Sequence, residues 1–309
     1  MWKGSAGWLS AEPRHRLVLM VLLVGVLIVI VRAAWVGDDA YITFRAVDNL
    51  VRGHGPVWNT HERVQAFTNP LWMVMLSAVY GFTKEAFYTS IVVQTLLSAA
   101  VLWVLATRVA RTPVAGAVAL LLCVSSKAFV DYSTSGLENP VLHLVLAAFV
   151  VLHLDVDSST RRLQQLGLLA ALAYLARPDA LLLVLPALIA RAVPLWREHG
   201  ARALRANGTR ALLLGLSPIA AWLAFCLFYY GSPLPNTAYA KLGAGLPLVL
   251  RAKAGLFYLL NSLWIDPATP YIIAAGLVVA FAGRGRNGTR STAFGIVAYL
   301  GYIVWRGGD

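Results

Sequence analysis

Two adjacent carboxylates, Asp38 and Asp39, follow directly on an apolar run that ends at Val36. Ionisable groups at a membrane face are costly to hold and mark functional sites by default. A carboxylate in that place can act as a general base, taking the proton of an attacking hydroxyl. Neighbours on a helix point about 100° apart, so the two acids divide the work. One activates an acceptor, while the other orients it, pairs with an arginine or holds a cation. The plain alternative is a helix-end cap or a pair of solvated acids. Arg45 comes near two turns later, on the face of the acids. There it can keep one of them ionised by pairing with it, or it belongs to a solvated face.

Other candidates are spread along the chain. Arg177 sits between two apolar runs, and Pro178 stops the helix after it. Its guanidinium is suited to a phosphate or a glycan, against snorkelling or pairing with Asp179. Lys241 is a second phosphate candidate, against an interfacial lysine. Glu138 and Asn139 stand where an apolar run begins, to bind sugar hydroxyls or to cap the helix. Asn69, before Pro70, and Asn236 are turn formers whose amides can also contact a glycan. His54 lies between Gly53 and Gly55 and reads as a structural turn residue.

Metal and nucleotide motifs are missing. There is no HExxH, no Cys/His cluster, no Walker A and no GxGxxG. No cofactor is required by this reading, and a nucleotide-sugar donor is not favoured. Asp38 and Asp39 leave room for one weakly held divalent cation, since hard cations take carboxylate oxygens. Cys123 and Cys226 lie in apolar runs and read as buried thiols.

The elements that must position these residues are apolar. Of 309 residues, 59% are hydrophobic and 13% charged, against about 45–50% and about 25% in soluble domains. Mean hydropathy is +0.69. That excludes a soluble enzyme, a disordered tail and a disulfide scaffold. The expected fold is all-α, a polytopic transmembrane bundle of about nine spans. Apolar segments fall near 17–36, 86–107, 113–126, 138–154, 163–176, 179–194, 209–230, 268–282 and 292–305. The first is read as a retained membrane helix, because no clear signal-cleavage site follows it. Leu71 to Phe82 is too short to cross comfortably, and Leu246 to Leu263 reads as an amphipathic helix at the outer interface. Two long outer loops remain, 37–87 and 231–267, and loops of that length carry function or short helices.

Charge orients the bundle. With the N-terminus cytoplasmic, the inner segments hold 15 of the 26 Lys and Arg but only Glu12, Asp155, Asp157 and Glu198 of the 14 acids. The basic excess has the sign expected of cytoplasmic loops. It also accounts for the net charge of +12 without nucleic acid, since no run of five basic residues exists. The expected location is the plasma (inner) membrane, with the active cleft outside.

The stretch DDAYITFRAVDNLVRGHGPVWNTHERVQAFTNPLW resembles the first outer loop of GT-C glycosyltransferases, in particular the actinobacterial AftB-type arabinofuranosyltransferase family. SGLENP at Ser135–Pro140, RPD at Arg177–Asp179, GSPLPNTAYAKLG at Gly231–Gly243 and the closing Gly307-Gly308-Asp309 extend the likeness over nearly the whole chain. Departures are His61, where the family often has Gly, and Ala46-Val47 after Arg45. The resemblance implies a GT-C-like transmembrane domain over residues 1–309. It implies a polyprenyl-phosphate sugar donor, with arabinofuranose the expected sugar, and an envelope glycan as acceptor. Inversion follows, with Asp38 the first choice of base and Asp39 beside it. It also marks Asp179 and the other residues of these motifs for substrate. Family members continue past GGD into an outer domain, so this sequence reads as an N-terminal part or a truncated reading frame. The rival functions are a flippase for a lipid-linked sugar and a non-catalytic scaffold. A flippase would place ionisable groups mid-span in repeated halves, whereas here the acids gather at one face.

Overall fold

The computed structural model describes residues 12–155, 157, 159–197, 202–242, 247–283 and 287–308, with the side chains of 195–197, 202–206, 240–242 and 287 left outside that description. Among these residues the ordered elements are all helical. In chain order they begin with α1 (Pro13–Arg32), α2 (Ala40–Val51), α3 (Pro70–Thr83) and α4 (Phe87–Val104), which runs on into a π turn at Leu105–Val109. Then come α5 (Pro113–Ser125), α6 (Lys127–Asp131), α7 (Asn139–His153), α8 (Thr160–Ala176) and α9 (Leu181–Arg197). The last are α10 (Arg202–Tyr230), α11 (Asn236–Leu242), α12 (Leu248–Ile265), α13 (Ala268–Ala282) and α14 (Asn287–Arg306). Each of the nine apolar segments is a helix. The starts follow local rules: a proline opens α1, α3, α5 and α7, where its missing N–H costs nothing. Thr112 and Ser159 cap α5 and α8 through their hydroxyls.

Among the described residues four helices are long and apolar enough to cross a membrane by length and composition: Pro13–Arg32, Phe87–Val109, Asn207–Tyr230 and Leu248–Ile265. The helices α5, α7 and α13 have 13, 15 and 15 residues, short of the roughly 20 that a bilayer core asks for. The fourth of the long helices, α12, is the segment read as interfacial. Its contacts separate it from the other three. Gly255 meets the backbone of Val304 and Tyr258 meets Gly308, both at the C-terminal end of α14. Asp266, just past α12, accepts the Ala128 N–H at 2.8 Å, and Trp35 donates to the Asp131 carbonyl nearby at 2.8 Å. The Ala128–Asp131 segment and the end of α14 belong to the same end of the bundle, so α12 is tied to that one end at both of its own.

That end is fixed by contacts between neighbours. Gly37 donates to the Ser135 carbonyl at 2.9 Å, which joins the start of α2 to the start of α7. At the opposite end of α7, His153 reaches Ser291 at 2.9 Å, so α14 begins at the far end and finishes at the near one. The helices approach closely through small residues, the usual device where lipid removes the hydrophobic drive between helices. Gly167 and Gly215 bring α8 and α10 together. A Cβ on Gly215 would lie 2.5 Å from the Gln164 carbonyl oxygen and 3.0 Å from Gly167 Cα. Gly215→Val must therefore push the pair apart. We expect a loss of about 1–3 kcal/mol, the usual size for overpacking, read as a lower thermal midpoint in detergent.

Candidate functional site

Asp38 and Asp39 occupy the turn between α1 and α2, and both are exposed. The Asp39 N–H donates to Asp38 Oδ1 at 3.0 Å. Asp39 is the first-position cap of α2 by backbone, yet its side chain accepts no capping bond. Among the described residues neither acid forms an ion pair. Arg45 does not supply one, contrary to the expectation from helix spacing. Its Nε donates to the Trp58 carbonyl at 2.8 Å, its Nη2 to Asn59 Oδ1 at 3.1 Å, and its guanidinium lies 4.5 Å from the Trp58 ring centre. The long side chain ties α2 to the loop that follows it.

Four of the sequence-nominated residues meet in one relay, buried at Asn69 and Glu138 and half-buried at Arg177 and Asp179. Thr43 on α2 donates to Asn69 Oδ1 at 3.1 Å, and Asn69 Nδ2 donates to Glu138 Oε2 at 2.8 Å. Glu138 Oε1 lies 3.7 Å from Arg177 Nη1, and Arg177 Nε lies 3.0 Å from Asp179 Oδ1. Tyr299 on α14 donates to Asp179 Oδ2 at 3.4 Å. Thr43 and Asn69 are 3% exposed and Glu138 is 7% exposed. The amide and the guanidinium together answer the two oxygens of a carboxylate that has lost its water. Burial works against the Arg177 charge, but Asp179, Tyr299 and Glu138 outweigh it and hold the guanidinium above its ordinary value. Glu138 precedes α7 without capping it, and Asn69 precedes α3 without capping it. Asn139 keeps a buried Oδ1 that has no hydrogen-bond partner.

The loop before Glu138 is held from below. Gly136 takes φ +79°, and a Cβ there would lie 2.6 Å from Ala40 Cβ. Its N–H donates to Gln94 Oε1 at 2.8 Å, Gln94 Nε2 donates back to the Leu137 carbonyl, and Trp72 Nε1 donates to the Gly136 carbonyl at 2.9 Å. Gln94 is fully buried in α4. Sequence reasoning missed it, along with Thr43 and Tyr299. The available signal was an amide in the middle of an apolar run, which is rarely there without a partner.

The family model for dolichyl-phosphate-mannose-protein mannosyltransferases matches residues 68–225. That stretch takes in Asn69, Glu138, Arg177 and Asp179 of the relay, while Thr43 and Tyr299 lie outside it. The chain belongs to this family of membrane glycosyltransferases. It is also 30% identical over 270 residues to a terminal beta-(1->2)-arabinofuranosyltransferase of Mycobacterium tuberculosis, covering 81% of this chain and 42% of that one. A protein of the same description from Corynebacterium glutamicum is 27% identical over 241 residues, covering 67% of this chain and 33% of the relative. The chain thus spans less than half the length of the curated relatives it matches. No solved structure matches it.

The remaining candidates lie apart from the relay. Asn236 is exposed, and its N–H donates to the Gln65 carbonyl at 3.1 Å. Lys241 belongs to α11, and its side chain lies outside the described residues. The positive φ of Gly53 and Gly55, 86° and 89°, makes the turn around His54. On the far side of α2, the Tyr80 hydroxyl donates to Asp48 at 2.6 Å and holds that carboxyl below its ordinary range, with Arg52 adding to the effect against burial. Among the described residues no group of three His, Cys, Asp or Glu side chains could hold a metal ion.

Gln94→Leu would leave the Gly136 N–H and the Leu137 carbonyl without partners. Each orphaned buried group costs about 1–3 kcal/mol. We expect a lower thermal midpoint. Gln94→Glu, which keeps the acceptor for Gly136, should lower it less.

Proposed function

We propose that the chain transfers a sugar, arabinofuranose, from a polyprenyl-phosphate donor to a glycan of the cell envelope on the outer face of the plasma membrane. The observation that carries this reading is the convergence of Asn69, Glu138, Arg177 and Asp179 at the same end of the bundle as the open pair Asp38 and Asp39. The relatives described as arabinofuranosyltransferases support the choice of sugar. The family description, which names a polyprenyl-type phosphate sugar, supports the choice of donor.

In this scheme Asp38 removes the proton of the acceptor hydroxyl as that oxygen attacks the anomeric carbon. The new C–O bond forms on one face while the bond to the phosphate oxygen breaks on the other, through oxocarbenium character. The configuration inverts, the lipid phosphate departs with the bonding electron pair, and the proton on Asp38 is later lost to water. A phosphate leaves without protonation, so one base suffices and no general acid is needed. Asp39 orients the acceptor. Arg177, Asp179, Glu138 and Asn139 contact sugar hydroxyls, with Asn69 holding Glu138 in register, and Arg45, Asn236 and Lys241 border the cleft. The scheme needs no cofactor. A divalent cation shared by Asp38 and Asp39 would steady the acceptor oxygen.

The test is a transfer assay in membrane vesicles with a polyprenyl-phosphate arabinofuranose donor and an arabinan acceptor. A lost general base lowers turnover by about 10²–10⁴-fold. We expect a loss of that size in Asp38→Asn, with expression and thermal midpoint retained. Equal turnover in wild type, Asp38→Asn and Asp39→Asn would remove the catalytic role from the pair.

A further inference from the structure

The helix α12 carries a cation that the scheme above does not use. Among the described residues Arg251 has no carboxylate partner. Its guanidinium lies 5.3 Å from the Trp305 ring centre, and its Nε is buried with no hydrogen-bond partner. A guanidinium stacked on an aromatic face is held in place, and its fork of donors matches phosphate oxygens in pairs. Arg177, the other arginine at this end considered for a phosphate, is already matched by two carboxylates.

The surroundings of Arg251 specify the kind of phosphate. Past it, α12 presents an open apolar face, with Leu250 53%, Phe257 70% and Trp264 89% exposed. Such a face beside a cation fits a lipid with an anionic head. Below it, Tyr299, Tyr302 and Trp305 form a row down α14, with ring centres 6.2 and 6.0 Å apart. The row starts at Asp179, which accepts from Tyr299, and finishes under Arg251. Six helical residues cover about 9 Å, roughly a sugar ring and its linkage. A bulk phospholipid has no use for that row, whereas a sugar carried on its phosphate does, since aromatic faces accept the apolar face of a sugar.

We propose that Arg251, steadied by Trp305, binds the phosphate of the prenyl-phosphate donor, with the prenyl chain lying along α12 and the sugar directed down the aromatic row. This rests on the donor class given under the proposed function. The exposed Lys253, two residues on, faces another side of the helix and raises the local positive field without being a contact.

The test measures binding to the purified full chain in detergent, with no sugar and no turnover required. The probes are a polyprenyl monophosphate and, separately, phosphatidylglycerol, and the variants are Arg251→Met, Arg251→Lys and Trp305→Leu. Loss of a charge-assisted contact should weaken prenyl-phosphate binding about tenfold or more in Arg251→Met. Arg251→Lys should fall between, and phosphatidylglycerol should be unaffected. Retention in Arg251→Lys separates this from unfolding, and Trp305→Leu gives the answer if Arg251→Met does not fold. Unchanged prenyl-phosphate binding overturns the proposal. So does an equal loss for phosphatidylglycerol, which would make Arg251 a general headgroup contact. Arg251-dependent binding without arabinofuranosyl transfer would uphold the phosphate site and reject the transfer reaction. The opposite pair of results would reject the site and leave the reaction standing.

Discussion

The arrangement depends on one buried carboxylate. Glu138 has lost nearly all its water and must be answered by protein groups. Its partners come from segments far apart in sequence: the Asn69 amide, which opens α3, and the Arg177 guanidinium, which closes α8. Satisfying it forces the α2–α3 link, the head of α7 and the α8–α9 turn into register. Asp38 and Asp39 inherit that register, because Gly37 bonds to Ser135 three residues before Glu138. The acids stay exposed and open to a ligand while the backbone beneath them is fixed, which is how a reactive group is kept in position.

The far end of the bundle uses two arginines to tie its connections. Arg162 pairs with Asp155 at 2.6 Å, and Arg191 donates to the carbonyls of His153 and Asp155. Those contacts close the α7–α8 connection against α9. At the near end Asp38, Asp39 and Arg251 have no ionic partner among the described residues, while the relay between them is satisfied. Charges left open beside a satisfied network are available to a ligand.

Much of this was legible in the sequence, for identifiable reasons. Nine apolar runs gave nine helices because burial of apolar side chains and local capping act within each segment. The interfacial course of α12 was legible from its broken apolar stripe, but its packing was not, because hydropathy reports that a run is apolar and not which residues meet it. Gly255, Tyr258 and Asp266 meet residues from elsewhere in the chain. The pairing of Arg45 failed for a related reason. Helical spacing gives a face, but a long side chain chooses among all acceptors in reach, and the Trp58 carbonyl won. Gln94 and Tyr299 left no spacing pattern that would name a partner. Each is one polar group in an apolar helix, and its meaning lies in a partner more than forty residues away.

In the proposed scheme, inversion sets a geometric demand on these residues. The attacking oxygen and the departing phosphate must lie on opposite faces of the anomeric carbon, so the base and the phosphate contact have to flank the sugar and cannot share a side of it. In the proposed scheme Asp38 stands on the α2 flank of the relay and Arg251 on the α14 flank. The relay's two carboxylates already match Arg177. Adding a phosphate there would place its negative charge against Glu138 and Asp179, a repulsion that a low-dielectric site enlarges. The uncompensated cation at Arg251 avoids that conflict. It also leaves the relay free to read sugar hydroxyls, which need both the donors of Arg177 and the acceptors of Asp179.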